Sequence, residues 1–244
     1  MRCMQRRKAP ILDAIKAYDA FAPYYQAYSE TKRPYLSSIE RIVALHAKGA
    51  RSLLDAGSGD GVRAIRIAAS VKTQELVLVE PSAAMRSRCD PRVEVLPCRI
   101  SEIPLTPRRF DVITCLWNVL GHLHGTGERR ASLERLKALL NPSGSIFLDV
   151  YHRYNAAAYG WPKTLLRMAG DFLFPSHAKG DAVVQWRVGD REIATLGHVF
   201  TGRELQRLFD ATGLAIHRRW VIHHATGAER RHPVSGHLLF ELRA

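Results

Sequence analysis

The sequence lacks long hydrophobic runs. Nowhere in its 244 residues does a stretch approach the roughly 20 consecutive apolar residues that a membrane helix requires. We therefore expect no membrane span. The N-terminal segment Met1–Lys8 is basic, but no apolar stretch follows it, which argues against a secretory signal. We expect a cytoplasmic protein.

Cysteine is scarce, and its spacing excludes the common zinc-binding motifs. No two of the four cysteines form a Cys-x-x-Cys pair. They are Cys3, Cys89, Cys98 and Cys115. The last two lie in apolar, strand-like runs, where a free thiol packs as a small hydrophobic side chain.

The paired histidines do not replace the missing cysteines as metal ligands. Successive residues of a strand point to opposite faces of the sheet, so His223 and His224 would form a poor chelate. The other pair, His122 and His124, is completed by no cysteine or carboxylate at a familiar spacing. We expect no metal site.

Acidic residues are outnumbered by basic ones, 23 against 36, which gives a net charge of +13 and a pI near 10.0. A basic balance can indicate a nucleic-acid partner. The basic residues are scattered along the whole chain, however, and no RNA-binding signature accompanies them. Because diffuse charge supports only non-specific attraction, a nucleic-acid partner is an alternative that the sequence does not favour.

Strands and helices alternate along most of the chain. Residues 11–48 have apolar positions at helical spacing, with Pro34 starting a second helix. Further helices are predicted near 62–69, 82–88, 128–140 and 202–211, and strands at 52–55, 75–80, 93–98, 110–116, 145–150, 214–223 and 236–242. This alternation predicts an α/β fold with a doubly wound, mostly parallel seven-stranded sheet. A turn is predicted at 141–144, where Asn-Pro-Ser-Gly precedes a strand.

Residues 151–200 break the alternation. They contain a predicted helix near 162–172 and two strand-like runs around Gly189 and Asp190, a hairpin signal. Because this segment leaves the sheet at the carboxyl end of its fifth strand, we interpret it as an inserted cap over a substrate site. The core domain then comprises 1–150 and 201–244, with 1–48 as a helical lid.

A glycine-rich turn follows the first predicted strand of the sheet. Its sequence is Asp55-Ala56-Gly57-Ser58-Gly59-Asp60-Gly61. Glycines allow the backbone to approach a ligand closely, and the next helix presents free N–H groups at its N-terminus. A dinucleotide fingerprint would need a glycine where Val62 stands, so the pattern argues against nicotinamide cofactors.

An acidic residue ends the next strand. Glu80 lies 25 residues after Asp55, where a carboxylate can accept two hydrogen bonds from the hydroxyls of a ribose. The alternative is a structural role at a strand end, with Pro81 and Ser82 starting a helix. The glycine turn and the acid together favour a nucleoside-containing ligand.

Together these motifs resemble those of class I, Rossmann-like S-adenosylmethionine-dependent methyltransferases. The glycine turn is similar to motif I of this family, and residues 110–115 are similar to its fourth strand. The turn at 140–144 and the segment 198–214 resemble its later motifs, while residues 18–25 resemble its N-terminal lid. The resemblance covers most of residues 18–242.

The resemblance implies S-adenosylmethionine as cofactor and assigns its contacts. Gly57, Gly59 and Gly61 would line the methionine side, Asp55 would orient the loop and the amino group, and Glu80 would hold the ribose. The family's acidic residue for the adenine is replaced by Cys98-Arg99-Ile100, so Ile100 or a backbone amide would serve. The remaining cofactor residues that we assign are Ser58, Pro81, Met85, Trp117, Asn118 and Tyr25.

Two of these assignments have structural alternatives. Met85 could lie against the adenine or belong to the core, since it stands at helical spacing. The hydroxyl of Tyr25 could close over the cofactor's carboxylate, or the tyrosines near it could form an aromatic helix face packed on the sheet.

The carboxyl ends of the fourth and fifth strands point to the acceptor site, because ligands of doubly wound sheets bind at that edge. Trp117, Asn118 and His122 follow one strand, and His152 follows the other. A hydroxyl or ammonium acceptor must lose a proton, and histidine is suited to receive it. We predict His152, His122 and His198 as catalytic candidates, with a hydrogen-bonded structural role as the alternative for each.

The function indicated is methyl transfer to an oxygen or nitrogen atom of a small molecule. Alternatives are an RNA or protein methyltransferase and a non-catalytic domain that binds S-adenosylmethionine. The sequence identifies neither the acceptor, the methylated atom nor the oligomeric state.

Overall fold

A computed structural model describes residues 10–174, 176–188 and 191–244. The strands are β1 (Ile11–Leu12), β2 (Ser52–Ala56), β3 (Glu75–Val79), β4 (Glu94–Leu96), β5 (Phe110–Cys115), β6 (Leu140–Val150), β7 (Asp181–Val188), β8 (Arg191–His198), β9 (Ala215–Ile222), β10 (Glu229–Arg230) and β11 (His237–Arg243). The predicted hairpin turn Gly189-Asp190, the basic segment Met1–Lys8 and Cys3 lie outside the described residues.

Ten α-helices occur within the described residues. They are α1 (Ala14–Phe21), α2 (Tyr25–Glu30), α3 (Arg33–His46), α4 (Val62–Val71), α5 (Ala83–Arg86), α6 (Val119–His122), α7 (Gly125–Ala138), α8 (Ala156–Tyr159), α9 (Trp161–Leu173) and α10 (Gly202–Thr212). Short 3-10 turns span Ala22–Tyr24, Ile100–Glu102, His177–Gly180 and Pro233–Ser235.

The main sheet has the strand order β10-β9-β11-β6-β5-β2-β3-β4. Strands β2 to β6 run parallel to one another, whereas β11 pairs antiparallel with both β6 and β9. The predicted doubly wound α/β fold is confirmed, with one strand more than the seven expected. The additional strand β10 is a two-residue edge strand with two exposed charged side chains. It has no alternation of hydrophobic and polar residues from which a strand could be predicted.

Helices cover both faces of this sheet. On one face, apolar side chains of α7 and α10 pack against β2, β5 and β6. On the other face, α3 and α4 pack against the same strands through residues such as Ile39 and Ile67. The near-continuous apolar strands, with β2 buried throughout, are typical of parallel strands covered on both sides.

A second sheet of three strands, ordered β1-β8-β7, joins the start of the described chain to the hairpin of residues 181–198. Ile11 pairs with Ala194 and Leu12 with Thr195 in parallel. The helical spacing of apolar residues placed Ile11 and Leu12 in a helix, and this assignment is wrong. A strand of two residues is too short for its period to be recognised, and only its partner in β8 defines it.

The turn predicted at 141–144 lies inside a strand, as an irregularity of it. The four residues belong to β6 (Leu140–Val150), but the pairing with β5 passes from Leu140 opposite Phe110 directly to Ser145 opposite Val112. Gly144 lies so close to the neighbouring strand that an added Cβ would stand 2.8 Å from the carbonyl oxygen of Asp111. The segment therefore bulges out of the ladder, and close packing against β5 explains the glycine.

Helix α1 lies at the carboxyl edge of the main sheet, whereas α3 belongs to the layer that covers one face. Asp19 on α1 accepts hydrogen bonds from the hydroxyl of Ser82 at 2.6 Å and from the N–H of Ala84 at 3.0 Å. Phe21 stacks on Trp186 of β7, with ring centroids 4.5 Å apart and planes 10° from parallel. Helix α1 is thus fixed between α5 and the hairpin.

Candidate active site

The glycine turn between β2 and α4 is held by backbone bonds to the neighbouring strand. The N–H groups of Gly57 and Ser58 both donate to the carbonyl oxygen of Val79, at 2.8 and 3.0 Å. The hydroxyl of Ser58 donates to the carbonyl of Asp55 at 2.7 Å and accepts from the N–H of Val79 at 3.1 Å. Ser58 therefore fixes the conformation of the loop through hydrogen bonds to β2 and β3.

Gly59 occupies one of the tight points of the turn. It has φ +61°, in the left-handed region, and an added Cβ would stand 2.8 Å from the hydroxyl oxygen of Tyr25 and 3.2 Å from Cε of Met85. Backbone conformation and space both require glycine at this position. Tyr25 and Met85 were each predicted near the cofactor, and the structure places both of them against the loop.

Two carboxylates meet at the glycine loop. Asp55 is fully buried; its Oδ1 accepts from the hydroxyl of Thr114 at 2.6 Å, while its Oδ2 has no hydrogen-bond partner among the described residues. Glu80 accepts from the N–H of Gly59 through Oε2 at 2.9 Å and from the N–H of Ser82 through Oε1 at 2.8 Å. The loop after β2 and the acid after β3 are therefore directly linked.

Burial controls the charge of Glu80. It raises the pKa of this carboxyl to about 7, and the two backbone hydrogen bonds and the nearby Arg86 only partly oppose the rise. Loss of water favours the protonated form of a carboxyl, so Glu80 titrates close to neutral pH.

The segment after β5 has an unusual backbone. Trp117 has φ +66° and Asn118 φ +58°, a conformation that side chains other than glycine rarely adopt and that is concentrated at functional sites. Asp149, fully buried at the end of β6, accepts the N–H of Trp117 and the hydroxyl of Tyr35, the latter at 2.7 Å.

Asn118 ties three strand ends together. Its Oδ1 accepts the N–H of Tyr151 at 3.0 Å, and its Nδ2 donates to the carbonyl oxygen of His198 at 3.3 Å. With 3% of its surface exposed, Asn118 supports the site from below rather than facing a ligand. The ends of β5, β6 and β8 therefore share one buried amide.

One cavity, hereafter the main cavity, opens at this edge of the sheet. It is lined by Ala14, Ile15, Tyr18, Tyr25, Gly57, Gly59, Glu80, Pro81, Arg99, Ile100, Leu116, Trp117, Val119, His122 and Leu123. Eight of the predicted site residues are among them. Five further predicted residues lie in or beneath the loop and strand ends: Asp55, Ser58, Gly61, Met85 and Asn118.

His122, on α6, faces the main cavity between aromatic rings. Tyr18 meets it edge-on at 5.4 Å between ring centroids, and Trp186 lies 6.3 Å away. Burial lowers the pKa of His122 to about 4, although a hydrogen bond with the backbone of Leu196 opposes the shift. Its Nδ1 has no hydrogen-bond partner within the described part of the chain. The ring is therefore neutral at physiological pH, and its one unpartnered nitrogen is buried.

The other two histidines have partners elsewhere. The ring of His152 is buried with Nδ1 3.0 Å from the carbonyl oxygen of Pro233, and its pKa is lowered to about 4 by burial. His198 lies with Nδ1 2.7 Å from Asp181 and Nε2 2.8 Å from Glu204. Both positions lie outside the lining of the main cavity, so the structure brings only His122 together with the glycine loop.

Sequence reasoning missed one residue of the cavity and one buried beside the glycine loop. Tyr18 stands in the segment that resembled the family lid, but only its contact with His122 reveals a place in the cavity. Arg63, on α4, is 6% exposed and its Nε lacks a hydrogen-bond partner among the described residues. Its guanidinium donates to the carbonyl oxygen of Leu116 at 3.4 Å and is influenced by the charge of Asp55. No local pattern distinguishes this arginine from the others on the same helix.

Metal-ligand clusters and membrane helices are both missing from the part of the chain that the structure describes. No group of three or more histidine, cysteine, aspartate or glutamate side chains among these residues could hold a metal ion. No helix in the described ranges is both long and apolar enough to cross a membrane.

Residues 25–218 match the model of a family described as a methyltransferase domain. The chain belongs to this methyltransferase family. The matched range includes the glycine loop, Glu80, the strained Trp117-Asn118 pair and His122. The resemblance inferred from the sequence motifs is confirmed.

Known proteins with related sequences or folds are consistent with this assignment. Over 114 residues the chain is 32% identical to a dTDP-3-amino-3,6-dideoxy-alpha-D-glucopyranose N,N-dimethyltransferase of Streptomyces fradiae, and this match spans 46% of the chain and 44% of that enzyme. The chain thus matches less than half the length of this relative.

Two solved structures share the fold across nearly the whole chain. An S-adenosylmethionine-dependent methyltransferase from Clostridium acetobutylicum superposes with a TM-score of 0.65 at 12% identity, covering 93% of this chain and 98% of that one. A sugar N-methyltransferase from a Streptoalloteichus species gives a TM-score of 0.59 at 19% identity, covering 100% and 98%. At such identities the likeness concerns the fold.

Proposed function

We propose that the chain transfers the methyl group of S-adenosylmethionine to a nitrogen atom of a small-molecule acceptor. The observation that carries this proposal is that His122, neutral and with one ring nitrogen that has no hydrogen-bond partner among the described residues, lines the same cavity as Gly57, Gly59 and Glu80. A half suited to a nucleoside and a hydrogen-bond acceptor therefore line one space.

The residues present fit S-adenosylmethionine. This cofactor carries an ammonium group, a sulfonium, a carboxylate and a ribose. The unpartnered Oδ2 of buried Asp55 suits the ammonium, Glu80 suits the ribose hydroxyls, and Arg63 beside Tyr25 suits the carboxylate. Since buried polar atoms rarely lack partners, the free atoms of Asp55 and Arg63 support a polar ligand at this place.

When bound, the cofactor supplies a methyl carbon that is activated by its positively charged sulfur. The chain's contribution is positioning, because in-line displacement requires the nucleophile opposite the departing sulfur. The rigid pair Trp117-Asn118, held by Asp149 and by the main chain of β6 and β8, fixes the floor of the cavity at the strand ends.

His122 orients the acceptor. With its pKa lowered to about 4, the ring holds a proton poorly but accepts a hydrogen bond from an amine N–H, which directs the nitrogen lone pair away from the ring. His122 would thereby hold the amine lone pair toward the methyl carbon that the cofactor supplies. The carbon–sulfur bond would break as the carbon–nitrogen bond forms, the sulfur would leave as a neutral thioether, and the methylated ammonium would release its proton to water. The neutral hydroxyl of Tyr18, with a pKa raised by burial, offers a second polar contact.

A nitrogen acceptor is preferred to oxygen for two reasons. A hydroxyl nucleophile would need a stronger base than a histidine with a pKa near 4. The relative from Streptomyces fradiae is, by its name, an N,N-dimethyltransferase of an amino sugar. RNA or protein acceptors would have to reach His122 past α1 and the β7–β8 hairpin.

The hairpin serves as the acceptor cap and the N-terminal helices as the lid in this proposal. Trp186 of β7 stacks on Phe21 of α1 and lies near His122, and these contacts support a closed site. We also infer a cytoplasmic location, supported by the free thiols of Cys89, Cys98 and Cys115.

The test is methyl transfer from radiolabelled S-adenosylmethionine to three acceptor pools: primary amines including amino sugars, total tRNA, and a protein extract. We expect label in the amine pool only. In His122→Ala turnover should fall about 10²-fold with cofactor affinity unchanged, because the imidazole bonds to the acceptor and not to the cofactor. The matched control is His124→Ala, an exposed histidine two residues away. Label confined to tRNA or protein would contradict the proposal, and binding without turnover on any pool would indicate a non-catalytic domain.

A further inference from the structure

Helix α9 is attached to the rest of the domain by its polar side. Of its 13 residues only Thr164 is buried, and the hydroxyl of this residue donates to the carbonyl oxygen of Gly160 at 2.9 Å. Arg167 donates to the carbonyl oxygen of Arg153 at 3.0 Å, and Asp171 accepts from the guanidinium of Arg153 at 2.6 Å. Because Thr164, Arg167 and Asp171 recur at helical spacing, they lie on one side of the helix.

The opposite side of α9 is apolar and exposed. Six large side chains on this side and at the end of the helix are each at least 56% exposed, and Leu166 and Phe172 reach 75% and 80%. These six residues are hereafter the apolar face: Trp161, Leu165, Leu166, Phe172, Leu173 and Phe174. A surface helix of a globular protein normally turns its apolar stripe toward the core. The orientation of α9 is inverted, and a contiguous exposed patch of this kind indicates an interaction surface.

Positive charge borders the apolar face. A groove is lined by Met168 and Phe172 of α9 and by Arg203 and Arg207 of α10. Both arginines are exposed, and neither forms a hydrogen bond or ion pair with a described residue. Lys163, in the first turn of α9, is also exposed and equally unpaired within the described ranges. Three unpaired cations therefore accompany the exposed apolar side chains.

The carboxylates of the groove are bonded to other groups. Asp171 accepts from Arg153, and Glu204 lies 2.8 Å from Nε2 of His198. Asp210, one turn further along α10, lies outside the lining of the groove. The acids in the groove therefore leave the charges of Arg203, Arg207 and Lys163 available to an anionic partner.

We propose that α9 docks the protein on the surface of an anionic lipid bilayer, with the apolar face inserted among the headgroups. Helices that lie in a bilayer interface combine tryptophan, phenylalanine and leucine on one side with lysine and arginine beside them. Side chains as exposed as Leu166 and Phe172 project from the surface, and a bilayer accommodates them without a complementary groove. At 13 residues α9 is too short to span the bilayer, so it lies in the plane of the interface.

The charge distribution favours lipid over a second copy of this chain. A symmetric contact through α9 would place Lys163, Arg203 and Arg207 of one copy close to the same residues of the other. Each chain also carries a net charge of +13, so two copies repel one another. A surface of anionic lipid attracts the same cations.

Co-sedimentation with lipid vesicles tests the docking without any methyl acceptor. The native chain should bind saturably to phosphatidylcholine vesicles that contain about one-third phosphatidylglycerol, and about tenfold more weakly to pure phosphatidylcholine, because the negative surface attracts the cations beside α9. Added salt should reduce this difference, since it screens exposed charges.

A double variant tests the apolar contribution. Leu166→Ser combined with Phe172→Ser should weaken binding to both kinds of vesicle by at least about tenfold, because two large apolar side chains no longer insert. The matched control combines Leu45→Ser with Leu105→Ser, two exposed leucines outside α9 and α10, and should bind as the native chain does. Tm should be unchanged in the first variant, since both substituted side chains are exposed.

A second double variant tests the charge contribution. Arg203→Gln combined with Arg207→Gln should weaken binding to the anionic vesicles by about tenfold and leave binding to pure phosphatidylcholine unchanged. The control with the same change of net charge combines Lys48→Gln with Arg88→Gln, two exposed cations outside α9 and α10. Its affinity for the anionic vesicles should stay within about twofold of the native value.

The proposal is overturned if the native chain does not bind the anionic vesicles, or if a control loses as much affinity as its test variant. It is also overturned if the native chain sediments as a dimer without vesicles and Leu166→Ser with Phe172→Ser dissociates it, because a second copy would then cover the apolar face. All these measurements are made without S-adenosylmethionine, so their outcome is independent of the proposed methyl transfer.

Discussion

The N–H of Gly59 donates to Oε2 of Glu80 over 2.9 Å, so the glycine loop and the acid of the next strand form one unit. The sequence motifs assigned each of them to a different part of the cofactor. Their direct bond means that the charge of Glu80 affects both the ribose contact and the shape of the loop, and this connection leads to a pH effect.

Cofactor affinity should rise with pH. Burial raises the pKa of Glu80 to about 7, and a ligand that carries net positive charge prefers the ionised carboxylate. Between pH 6 and 8 the ionised fraction increases about tenfold, so the affinity for S-adenosylmethionine should increase by about that factor. Calorimetry at intervals across this range measures it, and in Glu80→Gln the dependence should disappear. An equal pH dependence in that variant would show that another group is responsible.

The same shift predicts the opposite trend for stability without ligand. The pKa of Glu80 in the folded protein lies above its ordinary value of 4.5, so the folded form binds the proton more tightly. This contribution is complete below about pH 4.5 and is lost as the pH rises to about 7. The difference in unfolding free energy between the native chain and Glu80→Gln should therefore shrink or reverse across that window, as urea unfolding at several pH values would show.

Gly59→Ala should abolish cofactor binding. An added Cβ would press on the hydroxyl of Tyr25 at 2.8 Å and adopt a strained φ of +61°. Gly49→Ala is the matched control, since Gly49 also has a positive φ, +85°, but open space around it. Both variants should lose about 1 kcal/mol of stability from backbone strain. Only Gly59→Ala should lose S-adenosylmethionine affinity in calorimetry; equal affinities would exclude the close approach of the loop to the ligand.

Asp149→Asn should loosen the Trp117-Asn118 turn. The carboxylate accepts from both Trp117 and Tyr35, whereas an amide offers one acceptor and turns a donor toward the other group. We expect a loss of about 2 to 3 kcal/mol in the free energy of unfolding, against about 1 kcal/mol for Tyr35→Phe, which removes one hydrogen bond alone. Urea unfolding of the two variants compares them, and a larger loss in Tyr35→Phe would contradict the anchoring role of Asp149.

Trp186→Ala should detach the hairpin from α1. The indole is 5% exposed and stacks on Phe21, so its removal leaves a cavity that should lower the free energy of local opening by about 3 kcal/mol. Hydrogen exchange in β7 and β8 reports this opening. Val183→Ala, on the same strand but 46% exposed, is the control. If exchange is equally fast in both variants, the hairpin is held by other contacts and the cap proposal is weakened.

Local motifs made one half of the candidate site predictable, the half that we propose for the cofactor. The glycine loop and Glu80 lie at the ends of adjacent parallel strands, so their positions follow from sequence spacing once the sheet order is known. The half proposed for the acceptor depends on side chains brought together from residues 18, 122 and 186, which no spacing relates.

The orientations of the buried histidine rings could not be predicted from the local sequence either. His152 and His198 do stand at strand ends, but Pro233 and Asp181, which are 81 and 17 residues away along the chain, determine where their rings lie. His122 differs because one of its ring nitrogens has no such partner among the described residues. The missing hydrogen bond distinguishes His122. A sequence pattern shows which hydrogen bonds a side chain can form, but not which of them it leaves unformed.

The position of β11 has a consequence for biosynthesis. Residues 237–243 do not add to an edge of the sheet but fill the gap between β6 and β9, pairing with both. Until residues 237–243 have emerged from the ribosome, the edge of β6 is unpaired, and β9 and β10 cannot join the sheet. The strand ends that carry Asp149 and Tyr151 are then exposed to the solvent and to chaperones. The nascent chain should therefore complete this edge of the sheet in one step, only after β11 has emerged.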